Sequence, residues 1–87
     1  MDDANTEALI AQFGRRVTSQ LAEPEQRATA TRIFQQLAER EDPATARAWM
    51  IGMNPHLDDQ APILAIATGR GREAEAAARA YLDGQWT

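Results

Sequence analysis

Apolar residues along this chain recur at helical spacing in separate runs, each bounded by a proline, a glycine or a capping residue. In the first run, Leu9, Ile10, Phe13, Val17 and Leu21 form one stripe, with Asn5 or Thr6 placed to cap a helix. Pro24, after Glu23, suits the first position of a second helix, whose stripe is Ala30, Ile33, Phe34, Leu37 and Ala38. These two helices are expected to pair as an antiparallel hairpin. Asp42 and Pro43 repeat the start device for a short third helix carrying Ala46, Trp49 and Met50. Gly52 would tolerate a left-handed exit, and Pro55 disfavours helical geometry at Asn54, so the helix is expected to end there in a defined turn. Ala61 and Pro62 open a brief fourth helix with Ile63, Leu64, Ile66 and Ala67, closed by the TGRG of residues 68–71. Residues 73–82 read as the last helix, with Ala74, Ala77, Ala78, Tyr81 and Leu82 inward and Gly84 as its stop signal.

Nothing alternates with the period of two that a strand requires. The expected fold is all-α: a small bundle of about five helices, with an N-terminal helical hairpin over 1–41 and a C-terminal three-helix module over 42–87, in one compact domain. A chain of 87 residues buries only about 60 to 65% of its unfolded surface, and much of its 44% hydrophobic content is alanine, so the core is thin. A partner or a second copy would then add stability, and apolar stripes on both N-terminal helices would serve a symmetric homodimer.

Composition narrows the chemistry. There is no Cys and a single His, which leaves neither a thiolate site nor enough imidazoles for zinc, so no metal and no cofactor are expected. The acidic start MDDANTEALI has no basic region followed by an apolar run, and no stretch approaches the roughly 20 apolar residues of a membrane span. A cytoplasmic location without membrane contact is expected. All nine basic residues are Arg and the net charge is −4, a balance that disfavours a domain built to coat phosphates. The junction at Glu23-Pro24 is acidic and lacks the tight glycine turn of a helix-turn-helix.

Three clusters carry candidate chemistry. His56 stands near Asp58 and Asp59, an arrangement that acid/base or metal chemistry would need in a pocket; its plainer reading is a loop histidine with aspartates capping the next helix. The GRGR of residues 69–72 sets Arg70 and Arg72 before a helix start, a candidate anion site whose plainer reading is a tight turn between helices. Trp49, Met50 and Met53 read as core residues. Trp86, one residue from the C-terminus and beyond the stop at Gly84, reads as a binding anchor, because Trp buries a large area at low rotamer cost.

Residues 46–87, ARAWMIGMNPHLDDQAPILAIATGRGREAEAAARAYLDGQWT, resemble the toxin-binding domain of the Xre/MbcA/ParS-like antitoxins. The matching positions are Trp49, Asn54, Pro55, Leu57, Pro62, Gly69 and Gly84, in the order and spacing of that family's pattern. The resemblance implies an all-helical protein, itself no enzyme, that neutralises a RES-type toxin consuming NAD by laying this module and the C-terminal tail over the toxin's cleft. It implies that Trp49, Asn54, Pro55, Leu57, Pro62 and Gly69 define the fold. Tyr81 and the tail residues Gly84, Gln85, Trp86 and Thr87, with His56 and Asp58 on the loop rim, then form the partner-facing set. Residues 1–41 depart from the family plan, which places a DNA-binding helix-turn-helix there. An alternative reading is a small dimeric regulator that binds DNA or another regulatory protein, with Arg15, Arg16, Arg27 and Arg32 as a basic face on the hairpin.

Overall fold

A computed structural model describes residues 4–84. The chain forms α1 (Ala4–Ser19), α2 (Pro24–Arg40), α3 (Pro43–Ile51), a single 3-10 turn at Pro55–Leu57, α4 (Pro62–Ala67) and α5 (Gly71–Leu82). Among the described residues there is no strand, and no helix is long and apolar enough to cross a membrane. The all-α bundle of five helices is thus the observed architecture.

Helix α2 lies at its centre, packed against each of the other four helices. Its Ala30, Ile33 and Leu37 are fully buried, and the core around them comes from Leu9 and Leu21 on one side and Met50, Leu57 and Ile66 on the other. Helix α5 meets this core through Ala74, Ala77 and Ala78, whose small side chains let two helix backbones approach closely. Because α2 has neighbours on several sides, burial extends beyond its apolar stripe to Thr29 and Thr31. Phe13 and Phe34 tie α1 to α2 edge to face, with ring centroids 5.9 Å apart, and the Arg47 Nε–H of α3 donates to the Gln12 carbonyl at 2.8 Å.

The starts of α2, α3 and α4 follow the sequence signals. Asp42 caps α3, its carboxylate accepting from the Thr45 N–H at 2.7 Å, with Pro43 in the first turn. At the start of α2, Gln26 Oε1 reaches back to accept from the Glu23 N–H at 3.2 Å. Pro62 opens α4 with Ala61 as its cap residue, so neither Asp58 nor Asp59 caps that helix.

Four features differ from the sequence expectation. Asn5 and Thr6 lie inside α1 rather than capping it. Gly14 interrupts α1 with φ 86° and ψ 164°, a backbone region in which a side chain is strained, so the single stripe is really two short segments at an angle. Leu21 therefore reaches the core from the connection after α1, not from the helix itself. Gly52 is extended (φ −87°, ψ 158°) rather than left-handed; a Cβ there would meet the Ala48 carbonyl oxygen at 3.1 Å, which is a steric reason for glycine. Finally, α5 begins at Gly71, two residues early, because Gly69 at φ 92° reverses the chain abruptly enough for the helix to start beside the end of α4.

Two outcomes are expected. Gly14→Ala places a Cβ in a region that only glycine occupies readily and lowers unfolding free energy by about 1–3 kcal/mol, measured by urea denaturation. For Asp42, the Thr45 backbone hydrogen bond holds the carboxyl below its usual value of 3.8. A carboxyl depressed in the folded state contributes stability that is present above its unfolded pKa and lost as pH falls through the folded one. The melting-temperature gap between the native chain and Asp42→Ala is therefore full near neutrality and narrows as the pH drops below 3.8; a gap that stays constant into acid would contradict the cap.

Candidate functional site

The segment from Trp49 to Pro62 holds most of the positions named by the resemblance, and the structure gives each a local physical role. Asn54 has extended backbone geometry, as a residue before proline must, and is buried. Its side-chain oxygen accepts from the His56 N–H at 2.9 Å, while its carbonyl accepts from the N–H groups of Leu57 and Asp59, each at 2.9 Å. Pro55 starts the 3-10 turn thus closed, and the turn drives Leu57 into the core at 0% exposure. Asp58 and Asp59 then take left-handed backbone (φ 57° and 68°), which Asp tolerates better than most residues, and the chain swings back toward Pro62. Pro62 is buried in its turn.

Arg70 fastens this loop from outside. Its Nη1–H donates to the Leu57 carbonyl and to Gln60 Oε1, both at 3.2 Å, its Nη2–H to Asp58 Oδ2 at 3.3 Å, and its Nε–H to Glu73. The hydrogen bond to Glu73, with the charge of Asp58 behind it, holds the guanidinium even more firmly protonated than usual. The arginine pair of the GRGR sequence is thus divided. Both line a groove of about 480 Å³ between α2 and α5 that also carries Glu23, Glu25, Glu73 and Glu75, but Arg70 serves as a clamp while Arg72 is exposed. Arg32 faces the same groove and pairs with Glu75 at 2.6 Å. Carboxylates balance the positive charge there. On the hairpin, Arg27 is likewise engaged, donating to the Leu21 carbonyl at 2.8 Å and the Ala22 carbonyl at 3.2 Å.

In the last turn of α3, Trp49 is half-buried and its ring lies against Tyr81, centroids 6.0 Å apart. The Tyr81 hydroxyl donates to Glu41 Oε1 at 3.2 Å, and burial, with Glu41 second, pushes its pKa above the usual 10.0. The Arg40 Nη2–H donates to the Leu82 carbonyl at 3.3 Å. The end of α5 is therefore anchored at the α2–α3 junction, and the chain leaves through Gly84 at φ 77°. Gln85, Trp86 and Thr87 lie outside the described residues.

Met50 is fully buried, as expected, but Met53 is not a core residue: it is 79% exposed, and Ile51 beside it is 44% exposed. The reason is local. With Gly52 extended and Asn54 turned inward, the alternation of extended backbone puts Met53 on the outer side. These two are the exposed large hydrophobic residues among those described, and sequence reasoning missed them because Met at helical distance from Met50 looks like core. His56 and Asp58 are exposed on the same loop. Among the described residues no three His, Cys, Asp or Glu side chains are grouped to hold a metal ion.

Compared with protein families, curated proteins and solved structures, the chain matches none. The loop geometry itself is open to test: Asn54→Ala removes the acceptor of the His56 N–H from a buried position and is expected to cost about 1–3 kcal/mol in chemical denaturation, with the loss of Leu57 burial visible by NMR.

Proposed function

We propose that this chain is a non-enzymatic, antitoxin-like binding protein whose C-terminal module and tail cover the active-site cleft of a RES-type, NAD-consuming toxin. The observation that carries the reading is a division of labour along residues 49–62. Asn54, Leu57 and Pro62, all positions of the resemblance, are directed inward and hold the loop, while Met53 is largely exposed and Ile51 partly so. Exposed apolar side chains on a rigid, hydrogen-bonded support suit protein recognition, since little conformational freedom is lost on docking. The anchored end of α5 supports the same reading, because Trp49 and Tyr81 fix the point from which the tail starts. Inhibition by occlusion needs shape and complementarity rather than a nucleophile or a metal. A cleft that takes a dinucleotide must accommodate its phosphates, and a partner with net charge −4 complements such an electropositive surface.

The test is co-expression and co-purification with a RES-type toxin encoded beside this chain's gene. A stable complex and relief of NAD loss are expected. Met53→Glu should leave the melting curve unchanged, since Met53 is exposed, yet weaken the complex about tenfold or more. Deletion of residues 84–87 should impair neutralisation; full neutralisation by the shortened chain would rule out the tail's part in it. Failure to form any complex would rule out the wider reading.

A further inference from the structure

Sulfur is scarce in this chain, which has no Cys and three Met, at positions 1, 50 and 53. Met1 lies outside the described residues. Met50 and Met53 are close neighbours in sequence yet stand at opposite extremes of exposure, 0% and 79%. The Met50 thioether is enclosed in the core, so a water-borne oxidant reaches it only when the bundle opens, whereas Met53 meets solvent in the folded state. Met53 has no part in the core, and its neighbours hold it outward. On one side is Gly52, where a Cβ would meet the Ala48 carbonyl oxygen at 3.1 Å; on the other is Asn54, buried and accepting from the His56 N–H. A change of polarity at the Met53 sulfur therefore neither disturbs the core nor lets the side chain withdraw from the surface.

We propose that Met53 is an oxidation site that regulates docking: its conversion to the sulfoxide by a peroxide weakens the complex with the partner protein, and reduction of the sulfoxide restores it. This inference rests on the reading above, in which the Ile51 and Met53 surface contacts a partner. In the forward step the thioether sulfur attacks one oxygen of hydrogen peroxide. An S–O bond forms, the O–O bond breaks, sulfur gives up two electrons, and the second oxygen leaves as water. In the reverse step a dithiol supplies two electrons, becomes a disulfide, and the sulfoxide oxygen leaves as water. Oxidation replaces a polarizable apolar side chain with one that carries a strong hydrogen-bond acceptor. On the free protein that acceptor stays hydrated at no cost to the fold. In a docked apolar surface it must shed its water with no donor placed to replace it, which opposes binding. The chain has no thiol to react in its place, so Met53 is the sulfur that peroxide meets first among the described residues.

The experiment treats the full chain alone with hydrogen peroxide and removes the peroxide before the RES-type toxin of the preceding test is added. Tandem mass spectrometry locates the added oxygen, a melting curve reports the fold, and a binding titration reports the complex. Oxygen is expected at Met53 well before Met50, with the melting temperature unchanged and the complex weakened about tenfold or more. Methionine sulfoxide reductases acting on both sulfoxide epimers, with a dithiol, should restore binding. Met53→Gln, polar and without sulfur, should bind as weakly as the oxidised chain and respond no further to peroxide, which separates Met53 from Met1. The proposal is overturned if Met50 is oxidised as fast as Met53, if reductase treatment does not restore binding, or if Met53→Gln still loses affinity on exposure to peroxide. A complex that forms and is indifferent to the Met53 sulfoxide overturns this inference alone, whereas absence of any complex with the unoxidised chain overturns it together with the partner reading.

Discussion

The packing of α2 against four neighbours at once is the constraint on which the remaining structure rests. Ala30, Ile33 and Leu37 bury completely only if α1, α3, α4 and α5 all close on them, and among the described residues no other helix has an equivalent set of partners. With so few large apolar residues available, the helices must come close together, and the alanines of α5 make that approach feasible. The same constraint explains why the connections are short and tightly specified. A helix such as α4, six residues long, has no stability of its own and exists because its Ile63 and Ile66 complete the core.

The loop between α3 and α4 shows how a thin core can still present a rigid surface. Leu57 anchors it from within, the Asn54 side chain and carbonyl organise its backbone, and Arg70 binds it from the side. Backbone groups that a longer loop would leave to water are thereby satisfied inside the protein. The outward positions of Ile51 and Met53 follow from this arrangement rather than from any local preference of those residues.

Much of the helical layout was legible in the sequence because its signals are local. Proline at a helix start, a capping aspartate and apolar residues three and four apart act over one or two turns, and Pro43, Asp42, Pro62 and the α2 stripe all behave accordingly. What was not legible depends on contacts distant in sequence. Thr29 and Thr31 are buried because α2 has neighbours on several sides, which an amphipathic pattern does not reveal. The kink at Gly14 interrupts a stripe whose spacing still looks continuous. In the candidate site, the Asn54-Pro55 turn could be read directly, whereas the four-partner role of Arg70 could not, because Leu57, Asp58 and Gln60 stand ten or more residues away from it. Met53 misled for a related reason: hydrophobicity alone does not distinguish a residue directed inward from one held outward by an extended backbone.

The break at Gly14 also bears on how the molecule opens. It divides α1 into residues 4–13 and 15–19, each shorter than the roughly 12 to 15 residues below which an isolated helix is marginal in water. Neither segment can persist once detached from α2, and α1 is held largely by Leu9, the Phe13–Phe34 pair and the bond from Arg47. Helix α1 is therefore the natural unit of sub-global unfolding: its amide protons exchange with solvent through detachment of this one element, while those of α2 wait for the whole bundle to open.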